Sequence, residues 1–166
     1  MFETPAANEA DVLATLNQIL EIELAGVIRY THYSFMIYGY GRIPIVSWLR
    51  EEAATGLLHA HEAGELITQL GGHPSLEVGP LLETHRHDTG DILRESFEHE
   101  KLGVDLYRQL LRLVEGKSVA LEEYARRMVE EEVRHLGDVD KMLRKPGDLG
   151  PADQKAPESI KKPNAR

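Results

Sequence analysis

Residues 121–142 read LEEYARRMVEEEVRHLGDVDKM, and the helical pattern of the chain is clearest in this segment. It is rich in helix-forming residues, and steps of four and three along it trace one stripe of a core-facing helix. The stripe consists of Leu121, Ala125, Met128, Glu132, His135, Val139 and Met142. Glu132 and His135 are its polar members, and their spacing places both side chains on the same helix face. A carboxylate that faces a core is costly unless it has a partner charge or a metal, so this pair marks a candidate site.

Three further segments have the same helical period, and each carries a polar group near its middle. The caps and glycines predict helices from about Asn8 or Asp11 to Gly39, from about Pro44 to Gly71, from Asp88 or Thr89 to Gly116, and from a Ser118 cap to about Arg144. The interrupting groups are Glu23 in the first helix, His59 beside the stripe of the second, Glu100 in the third, and Glu132 with His135 in the fourth.

The connections between these helices predict two helical hairpins. A short loop joins the first helix to the second and another joins the third to the fourth, so each pair is antiparallel. The segment 73–88 is long enough to cross the length of a bundle. We therefore predict an all-α fold in which residues 1–145 form an antiparallel four-helix bundle, with a long crossover between the hairpins. Residues 146–166 are rich in proline and are predicted to be a flexible tail.

Composition and charge exclude several classes of protein. The formal net charge of −9 argues against a nucleic-acid partner, which requires a basic face, and suits a protein that handles cations. The chain has no cysteine, which excludes disulfides, thiolate metal sites and thiol catalysis. Its acidic N-terminus does not have the pattern of a signal peptide, and no apolar run approaches the roughly 20 residues of a membrane span. We expect a soluble, cytoplasmic protein.

The polar groups of the four helices indicate a metal site. The middles of antiparallel helices lie at one level, where carboxylates from three helices would repel one another and lose hydration together. Bound cations would relieve this repulsion, and Glu-x-x-His facing into a bundle is the ligand spacing of di-iron and di-manganese sites. Carboxylates and imidazoles without sulfur favour iron or manganese and tolerate zinc. For Glu132 and His135 alone, the competing interpretation is a partly exposed glutamate and a hydrogen-bonded core histidine.

Between residues 13 and 144 the chain resembles bacterioferritins of the ferritin-like superfamily. The resemblance is carried by LNQILEIELAGVIRY at 16–30, HAHEAGELITQLGGHP at 59–74, ILRESFEHEKLGVDLY at 92–107 and EEEVRH at 130–135. It implies that Glu23 and Glu132 are terminal ligands of the two irons, that Glu100 is a bridging ligand, and that His59 and His135 are the imidazole ligands. Tyr30 matches a tyrosine close to such centres and is the candidate catalytic residue.

The same resemblance implies an activity and an assembly. Such proteins oxidise iron(II) with oxygen or peroxide and store iron(III) mineral inside a hollow shell of identical subunits. The chain lacks a convincing fifth helix, so a smaller homo-oligomer is an alternative. We predict a non-haem iron protein with ferroxidase chemistry and a role in iron storage and detoxification. The alternatives are a catalytically weakened partner subunit in a hetero-oligomer with another ferritin-like chain, and a single-metal protein of other function.

Two positions depart from the family pattern. Gly56 stands where the second bridging glutamate belongs, and neither Glu52, which lies two turns before His59, nor Glu62 is expected to replace it. The site would then hold one iron, hold a second one loosely, or be completed by water, an anion or a small carboxylate. Leu57 stands where bacterioferritins have the methionine that ligates haem, so haem is not expected.

Two other sets of histidines have weaker interpretations. The run from His85 to Asp88 is predicted to be a solvated loop before a helix cap, with metal binding as the alternative. His99 follows Glu98 and precedes Glu100, and we predict that it faces away from the site and is exposed, with a supporting role beside the metal as the alternative.

Overall fold

The computed structural model describes residues 9–81 and 83–151, and within them it contains four helices and no strand. The helices are α1 (Glu9–Met36), α2 (Arg42–Gln69), α3 (Thr89–Val114) and α4 (Val119–Leu143). The prediction of an all-α bundle made of two hairpins is confirmed. The predicted cap at Asn8 and residues 152–166 of the predicted tail lie outside the described residues.

The ends of the helices follow from local chemistry, with one exception. Gly71 and Gly116 have φ values of +78° and +69°, a conformation in which a side chain is unfavourable, and they end α2 and α3. Asp88 caps α3, because its carboxylate accepts hydrogen bonds from the backbone N–H groups of Gly90 at 2.8 Å and Asp91 at 3.3 Å. Ser118 is the N-cap residue of α4, as predicted, but its side chain makes no capping hydrogen bond.

The core is divided into two apolar clusters with a polar level between them. The cluster toward the start of α1 includes Leu16, Ile19, Ile67, Leu110, Leu121 and Met128. The cluster toward the end of α1 includes Tyr30, Tyr33, Ile37, Leu49 and Ile92. Along α1 and α2, the residues between these clusters are those around Glu23 and His59. The apolar clusters hold the helices in register, and this register sets the positions of the polar side chains.

The helices do not contact one another equally. α1 packs closely on α2 and on α3, and α3 packs on α4, whereas no Cα atom of α2 lies within 8 Å of a Cα atom of α4. Long side chains fill this wider seam, including an ion pair between Arg127 of α4 and Glu62 of α2. None of the described helices combines the length and apolar character required to cross a bilayer.

The crossover between α2 and α3 lies along α1. The backbone N–H of Gly79 donates to the carbonyl of Glu21 at 2.9 Å, and that of Ser75 donates to the Asn17 side chain at 2.7 Å. A Cβ atom on Gly79 would lie 3.1 Å from the Ile22 Cα, so only glycine permits this close approach without a shift. The long crossover predicted from the sequence therefore packs on α1 instead of extending into solvent.

Candidate metal centre

A small cavity of about 20 Å³, with room for about one water molecule, lies at the polar level of the bundle. All the candidate residues named from the sequence line it, namely Glu23, Tyr30, His59, Glu100, Glu132 and His135. The carboxylates of the three helices are 5–8% exposed, and His59 is 5% exposed. The structure therefore brings the interrupted stripes of the four helices together at one place.

Two groups of three potential ligands meet at this cavity. The first consists of Glu23, His59 and Glu132, and the second of Glu100, Glu132 and His135. Within each group, one ligand atom from each residue lies within 4.8 Å of the others. Glu132 belongs to both groups, whereas Glu100 belongs to the second group alone.

In the first group, an imidazole lies between two buried carboxylates. His59 Nδ1 is 3.2 Å from Glu132 Oε1 and 3.5 Å from Glu23 Oε1. Burial acts to lower the pKa of His59, but the hydrogen bonds and charges of the two glutamates outweigh it and raise the pKa to about 10. Burial raises the pKa of Glu23, against the hydrogen bond from His59. Tyr107 also donates a hydrogen bond to Glu23 Oε1, at 2.7 Å, and so fixes this carboxylate.

In the second group, Glu100 is the most strongly perturbed carboxyl group. Burial raises its pKa well above the usual value, and the negative charge of Glu132 raises it further. The Tyr30 hydroxyl donates a hydrogen bond to Glu100 Oε1, which orients the carboxylate. His135 is only partly buried, and its ring stacks on that of His59 with centroids 6.4 Å apart.

Glu52 also lines the cavity, contrary to the prediction that it lies too far away. Its Oε2 atom is 3.5 Å from His135 Nδ1, and burial raises its pKa. Gly56 lies four residues after Glu52 on the same face of α2, and both residues line the cavity. The prediction considered only the separation of Glu52 and His59 along the helix and neglected the reach of a glutamate side chain. The spacing of four residues between Glu52 and Gly56 was the signal that could have identified Glu52.

The prediction that His99 is exposed is wrong. Its side chain lies against the cavity and against Gly26 of α1, where a Cβ atom would be only 2.8 Å from His99 Nε2. Its ring contacts the edge of Tyr30, with centroids 5.8 Å apart. Burial, and after it the positive charge of Arg29, lowers the pKa of His99 to about 4, so the ring is neutral near pH 7. The glycine on the facing helix was the signal that a bulky group on α3 is accommodated there.

Glu62 and Glu131, two further glutamates near the cavity, differ in position. Glu62, which was expected to point away from the site, forms its ion pair with Arg127 outside the cavity. Glu131 is partly buried and its Oε2 atom is 3.9 Å from His59 Nε2, so it lies at the rim beside the first group.

These pKa shifts predict how the stability of the metal-free protein depends on pH. The raised pKa values of Glu23, Glu52, Glu100 and His59 mean that the folded chain holds protons more firmly than the unfolded chain. The stabilisation that comes from this firmer proton binding is complete below the pKa values that the groups have in the unfolded chain. It is lost as the pH rises through the pKa values that they have in the folded chain. His99 has the opposite sign, but it acts only between about pH 4 and 6.5. We therefore expect the free energy of unfolding, measured by urea titration with chelator, to fall steadily from pH 7 to pH 9.

A His59→Gln variant provides the control for this measurement. It removes the imidazole whose pKa in the folded chain is about 10, above that interval. The stability of the variant should therefore fall less steeply with pH than that of the parent. A parent whose stability is constant or rises from pH 7 to pH 9 would contradict the prediction.

Comparisons with known proteins agree with this architecture. A family model described as a ferritin-like domain matches residues 13–146. A ferritin-like, diiron-carboxylate protein from Bacillus anthracis superposes with a TM-score of 0.75 at 21% identity, covering 84% of this chain and 100% of that one. The bacterioferritin of Desulfovibrio desulfuricans, described with a diiron site, gives a TM-score of 0.72 at 24% identity, with coverages of 82% and 80%.

A bacterioferritin-related protein from Bacteroides fragilis, described as a dodecameric thioferritin, gives a TM-score of 0.72 at 19% identity, with coverages of 85% and 87%. The search of the curated proteins gives no match. At these identities the structural likeness establishes the fold, whereas the family match rests on the sequence over most of its length. The predicted ferritin-like relationship is therefore confirmed, and the chain belongs to the ferritin-like domain family.

Proposed function

We propose that this protein binds iron(II) at the polar level of its bundle and oxidises it with oxygen or peroxide, as part of iron storage and detoxification. The observation that carries the proposal is the position of Glu132, a buried carboxylate shared by two groups of ligands. A carboxylate in that position can contact two cations at once. The diiron sites named for two of the structural relatives support the same chemistry here.

The charges and donor atoms fit a pair of divalent cations. When ionised, the four cavity carboxylates carry four negative charges, which two divalent cations would balance; these residues are Glu23, Glu52, Glu100 and Glu132. Without cations, burial and mutual repulsion favour protonation of three of them, as the raised pKa values of Glu23, Glu52 and Glu100 indicate. Oxygen and imidazole donors suit iron and manganese and tolerate zinc. Cation binding would displace these protons, so it should strengthen as the pH rises.

The two groups suggest how the ligands are divided. We assign Glu23 and His59 to one ion and Glu100 and His135 to the other, with Glu132 between them. Glu52 then stands in for the carboxylate that Gly56 does not supply, because its Oε2 atom lies 3.5 Å from His135 on the side of the second ion. This assignment keeps a single bridging carboxylate, Glu132, and adds Glu52 of α2 as a ligand of the second ion.

Iron(II) is the substrate of the proposed reaction. Two iron(II) ions supply two electrons to oxygen, and with two protons the products are two iron(III) ions and hydrogen peroxide. Tyr30 and Tyr107 each donate a hydrogen bond to a carboxylate of the site and hold Glu100 and Glu23 in place. We assign Tyr30 the additional role of supplying one of the two protons that the peroxide product takes up, because its hydroxyl is buried beside the second group.

We further propose that the protein forms a homo-oligomer, as the dodecameric relative does. The exposed apolar side chains of Phe35, Leu57 and Leu58 support this proposal, because association would remove them from water. Leu57 also occupies the place of a haem ligand without a ligating atom, so we propose that the assembly contains no haem at that position. The native mass and the visible spectrum of the purified protein test both statements.

Stopped-flow absorbance at the near-ultraviolet band of iron(III) tests the activity. The parent protein should oxidise iron(II) at least about tenfold faster than buffer alone, and His59→Ala should lose most of this acceleration, since a ligand and its hydrogen bonds are removed. His61→Ala is the matched control, because His61 is exposed on the same helix and should leave the rate unchanged. A parent rate equal to that of buffer would instead favour the partner-subunit alternative.

A further inference from the structure

A second group of potential ligands lies on the outside of the bundle, where the crossover passes α1. It consists of His32 of α1 with Glu83 and His87 of the crossover, and we call it the crossover cluster. His32 Nε2 is 3.4 Å from Glu83 Oε2, and His87 Nε2 is 3.8 Å from Glu83 Oε1. The two imidazole rings approach with centroids 5.9 Å apart and planes at 64°. The three side chains therefore converge on one point from two segments of the chain.

The spacing of these atoms fits a small transition-metal ion. Nitrogen and carboxylate oxygen bind Zn²⁺ at roughly 2.0–2.2 Å, so neighbouring ligands of a tetrahedral ion are about 3.4 Å apart. The nitrogen–oxygen separations of 3.4 and 3.8 Å in the crossover cluster are close to this value. Two histidines and one carboxylate also form a ligand set that leaves a fourth position for water. One ligand atom from each of the three side chains lies within 4.8 Å of the others, so side-chain rotations would complete the geometry.

One atom of the cluster lacks a partner that a cation would supply. His87 Nε2 is buried and makes no hydrogen bond within the described residues. A buried nitrogen without a partner is unfavourable, and such groups in folded proteins usually have an ion or a water molecule beside them. Glu83 forms no ion pair with lysine or arginine in the described part of the chain, so its charge remains available to a cation.

The backbone of the crossover is bent in a way that assembles the cluster. His85 has a φ of +58°, a region that residues with a side chain rarely adopt, and its N–H donates to the Glu83 carboxylate. Asp88 directly after the cluster caps α3 and so fixes the position of His87. This turn directs Glu83 and His87, four residues apart, toward His32. As predicted from the sequence, residues 85–88 form a largely exposed loop that ends in a helix cap, and within it His87 is partly buried.

We propose that the crossover cluster binds one divalent transition-metal cation, with Zn²⁺ as the best fit, and that the ion joins the crossover to α1. The site is separate from the central cavity and does not depend on the proposed iron chemistry. His32 is about half exposed, so a hydrated cation can reach the cluster from solvent without opening the bundle. The bound ion satisfies His87 Nε2 and neutralises Glu83.

Zinc binding by calorimetry and by metal analysis after dialysis tests this site. The parent should bind one Zn²⁺ per chain more than either Glu83→Gln or His32→Asn, whatever number of ions the central cavity holds. His61→Asn, a change to an exposed histidine outside both sites, should bind as many ions as the parent. Unfolding curves recorded with chelator should coincide for the parent and both cluster variants, which shows that the folds are equal. An equal zinc content of the parent and both cluster variants, or the same loss in His61→Asn, would overturn the proposal.

A second measurement separates this site from the centre. In a Glu132→Gln background, where the shared ligand of the central groups is absent, Zn²⁺ should still shift the imidazole NMR signals of His32 and His87. The signal of His61 should not move. If His32 and His87 keep their metal-free signals at zinc concentrations above that of the protein, the cluster is an ion pair only and the proposal is wrong, whether or not the centre oxidises iron.

Discussion

Glu132→Gln should abolish the binding of both metal ions at the centre of the bundle and lower the rate of iron(II) oxidation by at least about 100-fold. The reason is geometric, because Glu132 is the one residue that belongs to both groups of ligands. Glutamine has the same shape but no negative charge, so it cannot hold two cations together. Anaerobic titration with iron(II), followed by calorimetry, measures the binding, and stopped-flow absorbance measures the rate.

The matched control for this variant is Glu130→Gln. Glu130 lies on the same helix and is exposed, so the same chemical change there should leave binding and rate as in the parent. Circular dichroism of both variants with chelator shows whether the helices remain intact. Two tightly bound iron ions in Glu132→Gln would show that Glu132 does not connect the two groups, and the proposed division of ligands would then be abandoned.

The second large effect concerns Glu52, which we propose as a ligand of the second ion. Glu52→Gln should weaken the binding of one metal ion by about 10- to 100-fold and leave the binding of the other unchanged. The reason is that Glu52 contacts His135 of the second group and is not a member of the first group, which contains Glu23 and His59. Calorimetric titration with Co²⁺, which is stable in air, resolves the two binding steps. Glu51→Gln is the control, because Glu51 is the exposed neighbour on the same helix.

Combining Glu52→Gln with Gly56→Glu makes this prediction sharper. A Cβ atom at position 56 would lie 3.4 Å from the Glu23 carbonyl oxygen and 3.5 Å from Glu23 Oε2, which is close to ordinary contact, so a side chain can start there. The double variant should regain most of the lost affinity, because it moves the carboxylate by one helical turn. Unaltered binding of both ions in Glu52→Gln would mean that Glu52 serves only as a partner of His135.

The part of the site that follows from helical period was predictable from sequence, and the part that depends on side-chain reach was not. Glu23, Glu100 and Glu132 interrupt apolar stripes, and a stripe fixes which face of a helix is buried. Glu52 was missed because a period gives the position of a Cα atom and not the reach of a flexible side chain.

His99 illustrates a second limit of helical patterns. One stripe along α3 was assumed, but α3 packs against both α1 and α4, and its buried arc is wide enough to include adjacent residues 99 and 100. The crossover cluster illustrates a third limit. His32 and His87 are far apart in sequence, and their approach depends on a left-handed residue at His85 and on a loop that packs on α1. The periodicity of apolar residues along a single helix cannot predict a contact between two distant segments.

The wide seam between α2 and α4 would couple the rigidity of the chain to metal binding. The backbones of these two helices remain apart, so contacts between polar side chains of the centre connect α2 to α4 on that side. If iron is the ion that these side chains bind, a chain synthesised during iron starvation would hold α2 and α4 together less rigidly than a chain synthesised when iron is abundant. Iron supply would then govern the mechanical state of each newly made chain, as well as the reaction that it carries out.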